Sequence, residues 1–332
     1  HTVCFQVGKP GCFQQPGAEF CGKVTIPDIS IPTHWPEATP STWGITPQAT
    51  RRLLPDVPDD SHKGNFGHLL TVCGSVGMGG AATLAATAAL KSGTGLVSAF
   101  VPERFRDGLP SQPPEVMTLS SPGSPDFLTP DHTDVALSHA ASRDAVVLGC
   151  GFGNHPETGE FVRAFVVETE GPLLVDADGL NHLSSQDLVE RSGPTVITPH
   201  PRELSRLCGQ SVAEIQVSRI ATARHWAQEW EVVLVLKGSR TVVAAPDGAV
   251  FLNPTGNAGL ATAGSGDVLS GMIGGFLAQG RSPLAAALIG VYLHGLAADQ
   301  LVQEGLPPTA LTASDLFRGI GLARNALLRM GA

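Results

Sequence analysis

Apolar runs alternate with amphipathic stretches along most of the chain from about Lys63 onward. Short, near-continuous apolar runs predict strands that are buried on both faces, and the stretches between them have the length and spacing of helices. The predicted strands are residues 69–73, 96–101, 145–148, 173–175, 195–198, 232–236 and 241–245. The predicted helices lie near residues 80–92, 156–169, 212–230, 265–279, 284–303 and 313–329. This alternation predicts an α/β fold with a mostly parallel central sheet and helices on both faces.

The first 45 residues have a different pattern. Residues 1–33 end in alternating apolar positions between Val24 and Ile31. The proline-rich stretch that follows predicts a linker over residues 34–45. The sequence therefore predicts a short N-terminal unit, a linker and one large domain over residues 46–332.

Two local signals mark the start of that domain and a turn within it. Thr46 followed by Pro47 is a good helix start, because a hydroxyl can cap the helix and proline is favoured at its first position. Residues 246–248 are Pro-Asp-Gly and stand between the apolar runs 241–245 and 249–252. This arrangement predicts a hairpin with a tight turn.

The composition narrows the classes of function. The chain has 332 residues, of which 42% are hydrophobic and 15% charged, so it can bury a sizeable core. A formal net charge of −9 argues against general binding to nucleic acid or to an anionic membrane. A phosphorylated ligand must then be neutralised locally by backbone N–H groups, a few cations or Mg²⁺. We expect a small-molecule substrate, no nucleic-acid or membrane partner, and a homo-oligomer.

The six cysteines are scattered without a Cys-x-x-Cys pair, and three of them lie in or beside apolar runs. This distribution predicts reduced thiols packed in the core. No apolar run in the sequence reaches the roughly 18 residues of a membrane span, and the start lacks a signal-peptide core. We therefore expect a cytoplasmic protein. The first residue is His1 and not Met, which we expect of a fragment or a processed product.

The strongest candidate for chemistry is a run of small residues, Asn257-Ala-Gly-Leu-Ala-Thr-Ala-Gly-Ser-Gly-Asp267. Small residues let the backbone approach a ligand closely. Gly264, Ser265 and Gly266 open a predicted helix, where N–H donors and the positive helix end converge. The run therefore predicts an anion hole for a phosphoryl group, with Asp267 placed to accept a proton from an attacking hydroxyl. Taken alone, a glycine-rich turn with an acid in the first helical turn explains the same residues.

A second candidate follows a predicted strand directly and has the sequence Lys237-Gly238-Ser239-Arg240-Thr241. A strand-end lysine followed by hydroxyl side chains can bind one nucleotide phosphate and position another. We expect these five residues to bind a nucleotide, together with Asn257 and the anion hole. The alternative is a surface turn whose cations extend into solvent.

Two further glycine-rich loops follow strands. Gly74-Ser-Val-Gly-Met-Gly-Gly80-Ala81 opens a helix but lacks the Lys-Ser/Thr ending of a P-loop. Its small residues still allow a flat ligand to approach Ala81. Gly149-Cys-Gly-Phe-Gly153 fails as a dinucleotide fingerprint because its third glycine has the wrong spacing. Close approach of a ligand to Gly153 and a simple turn both remain open.

Polar side chains end two more predicted strands. Asp176, Asp178 and Asn181 follow the first, where they can bind ligand hydroxyls or hold Mg²⁺ through water. Helix capping by Asp178 is the structural alternative. His200 and Glu203 follow the second strand, and a histidine between two prolines is a poor core residue. We therefore expect Asp178, Asn181 and His200 to face a ligand.

These segments, in this order, closely resemble the ADP/ATP-dependent NAD(P)H-hydrate dehydratases, a family with the ribokinase-like fold. The similarity covers about residues 46–330, and six ordered motifs are far more specific than any one of them. The motifs are Lys63-Gly64…Gly67, Gly79-Gly80-Ala81, Asp176-Ala-Asp178-Gly-Leu-Asn181, His200-Pro-Arg-Glu203, Lys237-Gly238 and Gly264-Ser265-Gly266-Asp267.

The resemblance implies a metabolite-repair lyase that dehydrates the S form of hydrated NADH or NADPH with ADP or ATP and Mg²⁺. In that reaction Asp267 would deprotonate the hydroxyl of the hydrated ring, the terminal phosphoryl group would be transferred to it, and phosphate would leave. The resemblance places Ala81, Gly153, His200 and Asp267 at the hydrate, and Lys237 to Thr241 with Gly266 at the adenine nucleotide. Glu203 lies where sugar-kinase relatives place a glutamate that organises Mg²⁺-bound water.

Residues 1–33 resemble the last strands of the NAD(P)H-hydrate epimerase domain that precedes the dehydratase in bifunctional bacterial proteins. The likeness rests on the Lys9-Pro-Gly turn and on the run from Val24 to Pro32. Because the bulk of an epimerase domain is absent from this sequence, we credit the chain with no epimerase activity. The fused architecture favours ADP over ATP by association.

The sequence departs from the family pattern in two places, and two other functions fit the same residues. Cys150 and Phe152 stand where the family has Pro and Leu in a Gly-Pro-Gly-Leu-Gly loop, and Asn65 replaces an Asp. One alternative function is a kinase of the same fold that acts on a vitamin precursor or a sugar. The other is a catalytically inactive nucleotide-binding module, against which the intact Asp267 and Lys237 argue.

Overall fold

The structure is a computed structural model that describes residues 1–31 and 42–329. In these ranges the strands are β1 (Thr2–Val3), β2 (Val24–Thr25), β3 (Thr42–Gly44), β4 (His68–Val72), β5 (Leu96–Phe100), β6 (Val116–Leu119), β7 (Ala145–Leu148), β8 (Leu173–Val175), β9 (Thr195–Ile197), β10 (Val233–Leu236), β11 (Val242–Ala244) and β12 (Val250–Leu252). The helices are α1 (Gly17–Cys21), α2 (Pro47–Leu53), α3 (Gly79–Lys91), α4 (Thr133–Ala140), α5 (Pro156–Glu168), α6 (Asp178–Asn181), α7 (Ser185–Glu190), α8 (Pro201–Cys208), α9 (Val212–Val217), α10 (Arg219–Glu229), α11 (Ser265–Ala278), α12 (Pro283–Gln303) and α13 (Leu316–Arg329).

Ten strands form one sheet in the order β3-β12-β11-β10-β9-β8-β7-β4-β5-β6. The seven strands from β10 to β6 pair in parallel, whereas β11 pairs antiparallel with both β10 and β12. The predicted hairpin is therefore present, and Gly248 supplies the positive φ of +88° that its turn requires. The mostly parallel sheet is confirmed.

The sheet separates two apolar layers, because successive side chains of a strand point to opposite faces. In β7, Val147 packs into one layer while Val146 and Leu148 pack into the other. The first layer is covered mainly by α3, α11, α12 and α13, and the second by α4, α5, α8 and α10. Helices therefore cover both faces, as the sequence predicts.

The longest helix is α12, and by length and composition it could cross a membrane. In this structure 78% of its most apolar window is buried inside the protein. Its neighbours are α11 and α13, with which it forms much of the first apolar layer. The helix is therefore a core element of this fold.

The predicted helix 212–230 is wrong in one respect, since it is two helices, α9 and α10. The break is at Ser218, whose φ of −127° and ψ of 36° are not helical. Ser218 serves both as the last cap of α9 and as the residue before α10. A periodic apolar pattern that continues through the break conceals it in the sequence.

The predicted linker 34–45 lies mostly outside the described residues, and its last part needs correction. Thr42–Gly44 is the edge strand β3, which pairs in parallel with β12. Ile45, next in the chain, is buried. The reason is tertiary, because Trp43 stacks on Phe251 of β12 with ring centroids 5.4 Å apart. Thr46 then caps α2 by accepting a hydrogen bond from Ala49 N, as predicted.

Candidate active site

The candidate site lies where the carboxyl ends of β8, β9 and β10 meet the N-terminus of α11. A buried ion pair stands at its centre, with Lys237 Nζ 2.6 Å from Asp176 Oδ1. Asp176 Oδ2 also accepts a hydrogen bond of 2.6 Å from Ser270 Oγ of α11. Burial alone would lower the pKa of Lys237, but the carboxylates of Asp176 and Glu203 outweigh it and raise that pKa. Lys237 is therefore a fixed positive charge.

The turn after β8 is strained in a way that directs its two acids. Ala177 has φ +50° and ψ −125°, a conformation that residues other than glycine rarely adopt. On one side of it Asp176 points to Lys237, and on the other Asp178 Oδ2 accepts a hydrogen bond of 2.8 Å from Gly153 N. Strain of this kind persists only where surrounding contacts enforce it, and here the ion pair and the Gly153 contact do so.

His200 caps the helix that follows β9. Its Nδ1 accepts hydrogen bonds from the backbone N–H groups of Arg202 and Glu203, so Nε2 carries the proton of the neutral ring. The Glu203 carboxylate accepts the backbone N–H of His200 in return, at 2.7 Å. Desolvation and the charge of Lys237 lower the pKa of His200. The side chain is 46% exposed, so His200 is both a cap and an accessible donor at the site.

Glu203 is buried below His200, with its Oε2 3.7 Å from Lys237 Nζ. Burial raises the pKa of Glu203 to about 7, against the opposing effect of the Lys237 charge. Both of its carboxylate oxygens therefore face groups of the protein itself, His200 and Lys237. The predicted water-mediated role of Glu203 at Mg²⁺ stays a prediction.

Asp267 lies in the first turn of α11, where the sequence places it. Burial raises the pKa of Asp267 to about 6, and the charge of Asp176 raises it further, while Cys150 and Lys237 act in the opposite direction. The half-buried carboxyl is therefore mostly ionised at neutral pH and close enough to its pKa to exchange protons. Such a tuned acid is what general-base chemistry requires.

The backbone before Asp267 forms a tight entry into the helix. Gly264 has φ +84°, and a Cβ at this position would clash with Leu84 Cδ1, so only glycine fits. A Cβ on Gly266 would lie 3.6 Å from Lys237 Nζ. The free N–H groups of the first helical turn and the Lys237 ammonium therefore lie side by side, the arrangement predicted for an anion hole.

The residues predicted for the hydrate also lie close to one another. A Cβ on Gly151 would lie 2.8 Å from Ala81 Cβ, so the loop after β7 touches the start of α3. Gly153, at the end of that loop, bonds to Asp178. Asn181 donates to Asp178 Oδ1 at 3.3 Å and accepts from Arg206. Asp178 thus links this group to the acids around Lys237, and capping is not its role in the structure.

The residues predicted for the nucleotide form a separate loop region around the ends of β10 and β12. Ser239 is exposed, Thr241 Oγ1 donates to the carbonyl of Gly238 at 3.0 Å, and Arg240 Nη1 donates to the carbonyl of Pro254. Asn257 donates to Asp299 Oδ1 at 2.9 Å. Lys237 is the residue that joins this region to Asp267.

A residue from the N-terminal unit enters the same loop. Gln14 Nε2 donates to the carbonyl oxygen of Arg240 at 3.1 Å, and Gln14 is 9% exposed. Arg240 holds a positive φ of +58°, a conformation in which a backbone hydrogen bond is a useful restraint. The first 31 residues therefore contact the predicted nucleotide loop directly.

Three site residues were not predicted from the sequence. Asp176 was noticed only with its neighbour Asp178, because the sequence cannot show that it pairs with Lys237. His294 lies within the apolar helix α12, where it resembles a core residue, yet its Nε2 lies 3.0 Å from the carbonyl oxygen of Ser265. Burial lowers the pKa of His294 to about 4, so the ring is neutral. Asp299 is the third, on the same helix.

Among the described residues no group of three or more His, Cys, Asp or Glu side chains could hold a metal ion. Asp176 and Glu203 are occupied by protein partners. Mg²⁺ commonly keeps several waters and binds through substrate phosphates, so it needs no protein cage. The side chains described here therefore give no direct metal site, and we derive no step through the metal.

The comparisons with known proteins identify the family. A sequence profile described as NAD(P)H-hydrate dehydratase matches residues 69–320. An ADP-dependent (S)-NAD(P)H-hydrate dehydratase of Neisseria meningitidis is 39% identical over 82% of this chain and 89% of its own length. A bifunctional NAD(P)H-hydrate repair enzyme of Moorella thermoacetica is 43% identical over 95% of this chain, which spans 60% of that relative.

Solved structures agree. An ADP/ATP-dependent NAD(P)H-hydrate dehydratase of Bacillus subtilis, co-crystallised with ATP and Mg²⁺, matches with a TM-score of 0.74 and 32% identity over 86% of this chain and 98% of its own. A ribokinase-like superfamily protein of Enterococcus faecalis matches with a TM-score of 0.72 and 25% identity over 87% of this chain and 99% of its own. The predicted ribokinase-like fold is confirmed. With the profile match and these relatives, the chain belongs to the NAD(P)H-hydrate dehydratase family.

Proposed function

We propose that this chain removes water from the S form of hydrated NADH or NADPH, with ADP or ATP as the phosphoryl donor, and so restores the reduced nucleotide. The observation that carries the proposal is the convergence of Asp267, the first-turn amides of α11 and Lys237. A base beside an anion hole and a fixed cation suits transfer of a phosphoryl group to a hydroxyl. The names of the relatives from Neisseria meningitidis and Bacillus subtilis support the substrate.

Asp267 accepts the proton of the ring hydroxyl in the first half of the reaction. The pKa of about 6 keeps the carboxyl mostly ionised at neutral pH, so it can take that proton without prior activation. The amides of Gly264, Ser265 and Gly266 donate to the oxygens of the phosphoryl group in transfer. The phosphorylated ring then expels phosphate, which restores the carbon–carbon double bond and yields NADH or NADPH.

Lys237 stabilises negative charge on the nucleotide while Asp176 holds it in place. An ion pair this deeply buried keeps the ammonium in one position, whereas a flexible lysine would lose entropy on binding a phosphate. Asp178, Asn181 and His200 present polar groups to the hydrate, near Ala81 and Gly153. Ser239, Arg240, Thr241 and Asn257 lie on the adenine-nucleotide side.

Partners and location form a further part of the proposal. The net charge of −9 supports a protein that binds neither nucleic acid nor anionic membranes, and the family supports a cytoplasmic repair enzyme. We infer a homo-oligomer, which light scattering during gel filtration tests. A single mass equal to that of one chain would contradict it.

We propose that residues 1–33 are the remnant of an epimerase domain and carry no epimerase chemistry. Only Cys4 and Gln14 are buried among residues 1–31, so this stretch encloses no site of its own. The test supplies the pure R form of the hydrate to the chain. Conversion to the S form no faster than the spontaneous background supports the proposal, and faster conversion refutes it.

The dehydratase proposal is tested by the return of the near-ultraviolet absorbance of reduced nicotinamide. Hydrated NADH is mixed with the protein and Mg²⁺, with ADP, with ATP, or without nucleotide. Recovery only with a nucleotide, in step with phosphate release, is the expected result. Equal recovery without nucleotide would refute the proposal. Accumulation of a stable phosphorylated small molecule would favour the kinase alternative.

A further inference from the structure

Three cysteines of the N-terminal unit meet although they are distant in sequence. Cys4 follows β1, Cys12 ends the 3₁₀ helix Pro10–Cys12, and Cys21 ends α1. Cys4 Sγ lies 3.5 Å from Cys12 Sγ, and the Cys12 thiol has hydrogen-bond contacts with both Cys4 and Cys21. All three are free thiols in the structure.

Backbone contacts hold this thiol cluster together. Cys4 N donates to the carbonyl oxygen of Thr25 at 2.8 Å, which ties it to β2. Thr2 Oγ1 donates to the carbonyl oxygen of Cys21 at 2.8 Å, which ties the end of α1 to β1. The three sulfurs therefore meet because the strands and the helix are joined, and no large rearrangement is needed to bring Cys4 and Cys12 into bonding distance.

The N-terminal unit has little apolar core to stabilise it. Phe5 and Phe20 are 58% and 83% exposed, whereas Cys4 is 5% exposed. Units that bury too little apolar surface commonly depend on a covalent cross-link. The core cysteines Cys73 and Cys150 differ, since both are completely buried within the main domain.

We propose that the thiol cluster is a site of reversible oxidation, at which a small disulfide such as oxidised glutathione converts Cys4 and Cys12 into an intramolecular disulfide with Cys21 as the entry thiol. Cys12 and Cys21 are half-buried, so a small reagent can reach the cluster from their side. Contacts with Cys4 and Cys21 raise the pKa of Cys12 to about 11, which keeps Cys12 from starting the exchange. Cys4 is buried, so the first attack falls to Cys21.

The exchange balances in three steps. The Cys21 thiolate attacks glutathione disulfide, which forms a mixed disulfide and releases one glutathione. Cys12 attacks the Cys21 sulfur, loses its proton and releases the second glutathione. Cys4 then attacks the Cys12 sulfur, which forms the Cys4–Cys12 bond and returns Cys21 to its thiol form. Two electrons pass from Cys4 and Cys12 to glutathione disulfide, and their two protons end on the two glutathione thiols.

The experiment incubates the whole chain with oxidised glutathione, alkylates the remaining thiols and maps the peptides by mass spectrometry. The expected result is the loss of two alkylated cysteines of six, with a peptide pair that joins Cys4 to Cys12 and that dithiothreitol separates. Six thiols still free, glutathione adducts alone, or a link confined to Cys73 and Cys150 would each overturn the proposal. No substitution is needed for this test, so a folding defect cannot obscure it.

Two matched variants test the role of the entry thiol. Cys21→Ser is expected to slow formation of the Cys4–Cys12 link by about tenfold, because the accessible thiolate is gone. Cys208→Ser removes another half-buried thiol, one that bonds to Gln210 away from the cluster, and leaves the rate unchanged. Equal rates for both variants would show that Cys21 is not the entry thiol.

Discussion

Lys237 and Asp176 form an ion pair of 2.6 Å in which the carboxylate is 1% exposed, so neither charge has much water to solvate it. The pair joins the end of β10 to the end of β8, and Ser270 adds a hydrogen bond from α11. Three elements of the site therefore depend on one carboxylate. This dependence makes Asp176 a sensitive position.

Asp176→Asn should destabilise the fold by about 3–5 kcal/mol, because it leaves the Lys237 charge buried with only Glu203 nearby. Urea unfolding measures this change. Asp59→Asn, at an exposed position, is the matched control and should shift the free energy of unfolding by less than about 0.5 kcal/mol. Equal stabilities of the two variants would mean that the ion pair contributes nothing to folding.

Asp267→Asn should fold normally, keep its nucleotide affinity and lose turnover by about 10²–10⁴-fold, the range for a missing general base. Asn keeps the size of the side chain, while Lys237 and the first-turn amides are unchanged. Calorimetry gives the nucleotide Kd, and single-turnover formation of NADH gives the rate on the same preparation. A variant that keeps more than about a tenth of the rate would show that Asp267 is not the base.

The pH dependence of the wild-type protein should reveal the same carboxyl. Burial raises the pKa of Asp267 to about 6, and the base works only when ionised. The single-turnover rate should therefore fall as the pH drops through about 6, approaching a tenfold loss per pH unit below it. The residual activity of Asp267→Asn should lack this limb. A wild-type rate that stays flat down to pH 5 would contradict the assignment.

Gly264→Ala should damage both fold and activity, because residue 264 has φ +84° and its Cβ would clash with Leu84. A loss of about 1–3 kcal/mol in stability is expected from the strained backbone alone. Gly321→Ala is the control. It lies in α13 with open space around it, and alanine there should stabilise the helix by up to about 1 kcal/mol. Thermal unfolding compares the two directly, and a harmless Gly264→Ala would remove the argument for a tight helix entry.

Gln14→Glu should weaken nucleotide binding with little effect on the maximal rate. A carboxylate cannot donate to the carbonyl oxygen of Arg240, and a lost hydrogen bond of about 0.5–1.5 kcal/mol corresponds to roughly a 2–10-fold higher Kd. Gln15→Glu adds the same charge at the exposed neighbouring position and serves as the control. Kd values measured by calorimetry decide the matter. If both variants bind the nucleotide equally well, the N-terminal unit does not support the loop.

The predictable part of the fold follows from strong local patterns. The strand Ala145–Leu148 is completely apolar and buried on both faces, so its bounds agree with those predicted. The strand Val116–Leu119 was not predicted, because it is short and one of its four side chains, Met117, is 41% exposed. Edge strands carry a weaker apolar signal than central ones, and their existence depends on a neighbour that the local sequence does not show.

The predictable part of the site consists of loops that follow strands. Lys237, Asp178, His200 and Asp267 were all predicted from their positions in such loops. Their pairings could not be predicted, since the contacts between Lys237 and Asp176 and between Gly153 and Asp178 join residues far apart in sequence. A single histidine in an apolar helix, such as His294, carries no local signal that separates a support for the site from a core residue.

The edge strand β3 has a consequence for how the protein stays monodisperse. Strand β12 ends the hairpin, and without a partner on its outer side its backbone N–H and C=O groups would form an open template for a strand of another molecule. Thr42–Gly44 occupies that side in parallel, and Trp43 covers Phe251. A version of the chain shortened to Thr46 would keep every residue proposed for catalysis and lose this cover. Such a version would be active when dilute and would self-associate through β12 as its concentration rises.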